Sequence, residues 1–121
     1  MAVYLSKQEV EVVENGCGKG TFLCVTGDYQ FPTERGEFKI LTKRHPYRSK
    51  KYNVQMNYAM FFTSDGKAIH QYHGLSPLWL VRFLKMNSSD WFGSHGCVRL
   101  EEQDAKALYE WVTVGTRVTV Y

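Results

Sequence analysis

Valine and glutamate alternate in QEVEVVE, residues Gln8 to Glu14, so that Val10 and Val12 share one face of an extended chain. The segments on either side, VYL and TFLCVTG, are rich in β-branched and aromatic residues, and NGCGKG between the runs supplies turn chemistry. This pattern predicts a β-hairpin. Pro32 and Gly36 then stand ahead of a short strand predicted around Glu37 to Thr42. In MNYAMFFTSDGKAIHQYH two strand-like runs flank Asp65-Gly66, a dipeptide that suits a tight hairpin turn, so a second hairpin is predicted, ending near His70.

Two segments change period. Ser76 can cap and Pro77 suits a first helical position, and Leu78, Val81 and Leu84 then recur at helical spacing. Trp79, Leu80 and Phe83 widen the apolar surface, as in a buried helix or a lid over a site. EEQDAKALYEWV places Ala105, Leu108, Trp111 and Val112 on one face, with acidic residues in the first turn where the helix dipole favours them. TVGTRVTVY closes the chain with a glycine turn and an alternating strand. The prediction is a mainly β single domain over residues 1–121 with two short helices.

At 121 residues, with 44% hydrophobic and 22% charged residues, the chain has enough apolar material for a core without disulfides or metal. The net charge of +3 is mild, but Lys43, Arg44, Arg48, Lys50 and Lys51 crowd around His45 and Pro46. A solvated basic loop is the ordinary reading of such a run, and contact with an anionic polymer the sharper one. No RNA-binding signature, zinc-finger spacing or stacking platform accompanies it, so nucleic acid is not expected as a partner. No apolar run is long enough to span a membrane as a helix, and Met1 to Lys7 lacks the charged and apolar regions of a signal peptide.

Cys17, Cys24 and Cys97 are an odd number, so intramolecular pairing leaves at least one thiol free, and Cys97 is the one expected to be free. Cys24 sits in an apolar run as a small hydrophobe, and a Cys17–Cys24 bridge stays open. In SHGCVRL, His95 precedes Cys97 by two positions and Arg99 follows by two, while His70 and His73 lie upstream. A cysteine becomes a nucleophile when a histidine takes its proton and amide N–H groups face the developing oxyanion. Gly96 permits close backbone approach, and the Arg99 guanidinium matches a carboxylate.

Each residue also has an ordinary reading. Cys97 in an apolar strand is a core residue, Gly96 a bend, and Arg99 a partner for Glu101 or Glu102 in a surface bridge worth about 1 kcal/mol at most. His70, His73, His95 and Cys97 also supply four ligands for tetrahedral zinc on paper. The two intervening residues, however, place His70 and His73 on opposite faces of an extended strand.

The stretch Ser94 to Arg99, S-H-G-C-V-R, resembles the signature of the L,D-transpeptidase catalytic domain, the YkuD family, in which an upstream histidine precedes [ST]-H-G-C-hydrophobic-[RN]. VYLSKQEVEVVENG resembles that family's first hairpin, FPTERGEF its Pro-x-x-x-Gly-x-Phe segment, and ALYEWVTVGTRVTV its closing helix and strand. The resemblance runs from about Val3 to Tyr121 and implies a β-sandwich with catalytic groups at one edge. It implies Cys97 as nucleophile, His70 as general acid/base with His73 the lesser candidate, and His95 and Gly96 as shaping the oxyanion pocket. Ser94 would support that turn, Arg99 would lie near the donor stem, and Tyr58 and Met60 would line the cleft.

The implied activity is transfer of a peptidoglycan tetrapeptide acyl group, through a Cys97 thioester and with loss of D-alanine, to an amine. No metal or organic cofactor is required, and the expected protein is a monomer acting outside the cytoplasm. Alternatives are an L,D-carboxypeptidase, a wall-modifying phage or effector enzyme, and a non-catalytic zinc- or peptidoglycan-binding module. The chain departs from the family pattern in having 23 residues between His70 and Ser94, a longer spacing than usual, and in lacking an export signal or wall-binding module. The apolar segment in that spacing brings Trp79 and Phe83 forward as residues that narrow the cleft or keep water from the thioester.

Overall fold

Strand geometry begins where the alternating pattern begins. The computed structural model of the protein describes residues 1–14, 16–27, 32–50, 54–74, 76–87 and 96–121. β1 (Ala2–Tyr4), β2 (Glu9–Glu14) and β3 (Cys17–Val25) form an antiparallel meander, with Val10 opposite both Val3 and Phe22. The predicted first hairpin is thus β2–β3, and an additional strand precedes it. Gln8, in the β1–β2 turn, takes a φ of 53° and is buried. Its amide donates to the Leu5 carbonyl and to Thr26 Oγ1, both at 2.7 Å, and accepts the Thr26 N–H at 2.9 Å, so the cost of burying a polar group is offset.

The strand predicted at Glu37 to Thr42 is split into β4 (Gly36–Lys39) and β5 (Thr42–Arg44), with fully buried Ile40 between them. A small ribbon, β6 (Arg48–Ser49) with β7 (Val54–Gln55), follows. The second hairpin pairs β8 (Ala59–Phe61) with β9 (Ala68–Gln71) across the Asp65-Gly66 turn, where Gly66 has a φ of 95°. α1 (Leu78–Asn87) leads to β10 (Val98–Leu100), then α2 (Glu102–Trp111) and β11 (Arg117–Val120).

Among the described residues one nine-stranded sheet runs in the order β4-β11-β1-β2-β3-β10-β9-β8-β5. Val3, Val10 and Val118 from one half meet Met60, Ile69 and Leu100 from the other in one buried cluster, so the sheet curls on itself around a shared core. The expected sandwich is therefore a single sheet folded over. Ala105, Leu108 and Val112 of the α2 segment enter the same core. Trp111, expected on that face, is instead 38% exposed, one residue short of the buried Val112 position.

Part of the basic stretch serves packing. Lys43 Nζ donates to the Val112 carbonyl at the C-terminal end of α2, 2.8 Å away, where the helix dipole favours a cation, and it lies 4.3 Å from the Tyr109 ring centroid. His45 stacks on Tyr58 with ring centroids 3.8 Å apart. Lys51 lies outside the described residues.

β9 and β10 are parallel, and parallel neighbours need a crossover connection. The segment between them carries α1. Leu78 and Val81 of α1 bury against Val25 and half-buried Tyr72, and Arg82 donates to the carbonyls of Lys7 at 2.9 Å and Gln8 at 3.2 Å. The longer spacing before Cys97 thus contains a helix docked on β3. Trp79 and Phe83 lie away from that contact, 67% and 56% exposed.

Candidate active site

The parallel ladder aligns Val98 with Ile69, Arg99 with His70 and Leu100 with Gln71. Paired residues share a face and successive residues alternate, so Ala68, His70, Cys97 and Arg99 fall on one face of the β9–β10 pair. Packing agrees with this register. Ala68 and Cys97 cluster with Met56, Ala59 and Phe61, whereas Ile69, Val98 and Leu100 enter the main core on the other side.

Cys97 is 6% exposed, and burial pushes its thiol above the ordinary range. A hydrogen bond with the Ala68 backbone and the positive charges of Lys67 and Arg99 oppose that shift. His70 is 5% exposed, and burial lowers it to about 4, against the pull of its backbone hydrogen bond. Because a carbonyl only accepts, the 2.7 Å contact from His70 Nδ1 to the Gln71 oxygen puts the proton on Nδ1 and leaves Nε2 as the basic nitrogen. Burial thus favours the neutral form of both groups, thiol and imidazole.

Gly96 has a φ of 108°, in the left-handed range that favours glycine. A Cβ there would lie 2.5 Å from Lys67 Cε, so the lysine stem occupies the space that a side chain would need. The Gly96 carbonyl accepts a hydrogen bond from Thr33 Oγ1 at 3.0 Å, and the Thr33 hydroxyl oxygen in turn accepts the Gly27 N–H at 2.9 Å. Since the Gly96–Cys97 peptide is planar, fixing that carbonyl also fixes the direction of the Cys97 N–H. A cavity of about 230 Å³ adjoins this turn, with walls that include Glu34, Phe62, Asp65, Lys67 and Gly96.

Arg99 places its guanidinium carbon 5.4 Å from the centroid of the Tyr72 ring. Tyr72 packs in turn with Val25, Leu78 and Val81, which links the α1 layer to the arginine. His73 is exposed beyond the end of β9, and its Nε2 accepts the Asn57 N–H at 3.3 Å. His70, in the ladder itself, is the histidine on the Cys97 face.

Several expected site residues are placed elsewhere. Met60 pairs with Ile69 and is wholly buried in the main core, on the face opposite Cys97, so it packs the sheet and does not line the cleft. Tyr58 lies on that same side, stacked on His45 and edge-on to Tyr109. Trp79 is on the solvent side of α1 and is not part of the cavity wall at Gly96. Ser94 and His95 lie outside the described residues. Among the described residues no three His, Cys, Asp or Glu side chains are grouped as a metal ion would require.

Thr33, Lys67 and Tyr72 were not singled out from the sequence. Thr33 is 63 positions from the carbonyl it holds, and only the β9–β10 register brings Lys67 beside Gly96. Tyr72 carried a usable signal: it follows His70 by two, and strand parity puts it on the same face.

Comparison with known proteins gives a consistent result. The family model for the L,D-transpeptidase catalytic domain, YkuD, matches residues 1–120. A solved L,D-transpeptidase from Stackebrandtia nassauensis is 32% identical with a TM-score of 0.82, covering 99% of this chain and 53% of that one. An L,D-transpeptidase from Xylanimonas cellulosilytica is 24% identical with a TM-score of 0.78, over 99% of this chain and 58% of its own. A mutant L,D-transpeptidase from Enterococcus faecium, 23% identical with a TM-score of 0.80, is covered over 48% of its length by 99% of this chain. The chain thus spans about half the length of these solved relatives. No curated protein matches it.

Proposed function

The chain belongs to the YkuD family of L,D-transpeptidase catalytic domains, and from that premise we propose that it is a cysteine acyltransferase acting on peptidoglycan tetrapeptide stems. The observation that carries this reading is the parallel pairing of β9 with β10, which sets His70 and Cys97 on one face of the sheet. In the proposed reaction Cys97 Sγ attacks the carbonyl that precedes the terminal D-alanine, while His70 Nε2 accepts the thiol proton. The oxyanion forms near the Cys97 N–H, whose direction Thr33 fixes through the Gly96 carbonyl. His70 returns the proton to the leaving amine as the C–N bond breaks, and D-alanine departs from a thioester. An amine of a neighbouring stem then attacks the thioester, His70 takes its proton, and the thiol is restored. Water in place of the amine gives carboxypeptidase activity.

Burial, in favouring both neutral forms, supports general-base attack over a preformed thiolate. Arg99, on the same face two residues beyond Cys97, offers a guanidinium for a donor carboxylate. The cell wall is the proposed place of action. The test is mass spectrometry of defined muropeptides incubated with wild type and Cys97→Ala. Cys97-dependent loss of D-alanine, with or without a cross-linked product, is expected. Loss of D-alanine undiminished in Cys97→Ala, or absent in both, overturns the reading.

A further inference from the structure

Among the described residues the buried polar ones are Gln8, Thr26, Thr33, Ser49 and His70. His70 belongs to the proposed reaction, and Gln8, Thr26 and Thr33 form one chain of hydrogen bonds that ends at the nucleophile turn. The Gln8 amide clasps Thr26 twice: Nε2 donates to Thr26 Oγ1 at 2.7 Å, and Oε1 accepts the Thr26 N–H at 2.9 Å. The next amide, the Gly27 N–H, donates to Thr33 Oγ1 at 2.9 Å, and Thr33 Oγ1 donates to the Gly96 carbonyl at 3.0 Å. The polarity of this series is fixed. A carbonyl only accepts, so Thr33 takes the Gly27 N–H on a lone pair and delivers its single proton to Gly96.

Gln8 is itself held on every side. Its Nε2 also donates to the Leu5 carbonyl at 2.7 Å, and its own carbonyl accepts the Cys24 N–H at 3.0 Å and Arg82 Nε at 3.2 Å. Arg82 belongs to α1, so the helix in the crossover from the His70 strand to the Cys97 strand is tied to the head of the chain. The φ of 53° at Gln8 is one that glycine meets without strain, but glycine could not clasp Thr26.

We propose that Gln8 is a positioning residue for the nucleophile turn, acting on the Cys97 main chain through Thr26, Gly27 and Thr33. Its part in acyl transfer rests on the function proposed above. Successive N–H groups of an extended chain point to opposite sides, so the clasp on Thr26 sets where the Gly27 N–H points. That N–H orients the Thr33 hydroxyl, the hydroxyl holds the Gly96 carbonyl, and the planar Gly96–Cys97 peptide carries the constraint to the Cys97 N–H. Hydrogen bonds in series also polarise one another, so a loss at Gln8 weakens the last bond as well as the first. Gly96, with a φ of 108°, is the kind of residue least able to hold its own conformation, and the turn therefore depends on partners from elsewhere in the chain.

The experiment follows the Cys97 amide by proton–nitrogen correlation NMR of the substrate-free protein, alongside D-alanine release from a tetrapeptide, in wild type, Gln8→Met, Thr33→Val and the double variant. Below its melting temperature a variant that is merely less stable keeps its Cys97 resonance, so this readout separates positioning from folding. The Cys97 amide proton is expected to move upfield in Gln8→Met, as in Thr33→Val, because a less polarised Gly96 carbonyl leaves the shared peptide less polarised. kcat is expected to fall about threefold with KM kept, the scale of one neutral hydrogen bond. Adding Gln8→Met to Thr33→Val is expected to change neither readout further. Thr26→Val keeps the side-chain shape and removes the hydroxyl that Gln8 reaches, so it serves the same comparison if Gln8→Met does not fold; Thr26→Ser is expected to match wild type. An unmoved Cys97 resonance, an unchanged kcat for D-alanine release, or effects of Gln8→Met and Thr33→Val that add in full overturns the proposal. A moved resonance with no D-alanine release by wild type leaves Gln8 positioning the Cys97 turn and removes the peptidoglycan reading.

Discussion

Protonation of His70 offers a quantitative test of the site, through stability and independently of substrate. The ring is 5% exposed, and its Nδ1–H is committed to the Gln71 carbonyl, so the charged form gains little solvation and burial lowers its pKa from 6.5 to about 4. In the unfolded chain the same ring titrates near its ordinary value. Between the two values the unfolded chain binds a proton that the native protein does not, so stability is full above about 6.5 and is lost as pH falls toward about 4. The whole interval corresponds to about 3 kcal/mol. The perturbation is His70→Gln, which removes the titration. The assay is urea unfolding followed by tryptophan fluorescence at about pH 7.5 and about pH 4.5, with wild type expected to lose about 2–3 kcal/mol more than the variant between them. Equal losses in the two proteins would show that His70 titrates normally, and the neutral buried base would then be refuted.

Three further outcomes follow from the same geometry. Gly96→Ala forces a side chain into a φ of 108° and against the Lys67 stem, and is expected to lower stability by about 1–3 kcal/mol, read as the shift of a urea midpoint. Thr33→Val removes the donor to the Gly96 carbonyl and frees the Cys97 N–H to misalign; kcat is expected to fall about tenfold with KM little changed, and Thr33→Ser to restore it. An equal rise in KM would make Thr33 a substrate contact instead. Iodoacetamide alkylation of Cys97 is expected to reach half its limiting rate above the ordinary thiol value of 9.0, because burial favours the protonated form. A midpoint below neutral pH would indicate a preformed thiolate.

What the sequence made legible was local. The Asp65-Gly66 hairpin was readable because the turn needs a residue tolerant of positive φ, and Gly66 has a φ of 95°. α2 was readable because Ala105 and Leu108 repeat at helical spacing behind an acidic first turn. Pairings across the chain were not readable. Gln8 is buried by partners at Thr26, 18 positions away, and the interaction of Thr33 with Gly96 spans 63 positions. Met60 lies on the expected strand, but its parity relative to Cys97 is set by the Met60–Ile69 and Val98–Ile69 pairings, which put it on the far face, and Tyr58 precedes that strand at a φ of 54° and packs on His45 and Tyr109. In the sequence the long spacing before Ser94 is compatible with a buried helix or with a lid over a site. It contains a helix within the crossover that joins two parallel strands, docked through Leu78, Val81 and Arg82.

The central claim is that Cys97 carries the acyl group, and intact-protein mass spectrometry after brief exposure to a tetrapeptide donor tests it most directly. The account predicts a mass increase equal to the donor minus D-alanine, located on Cys97 by peptide mapping, lost in hydroxylamine and absent from Cys97→Ala. An adduct on another residue, or D-alanine release undiminished in Cys97→Ala, would contradict it.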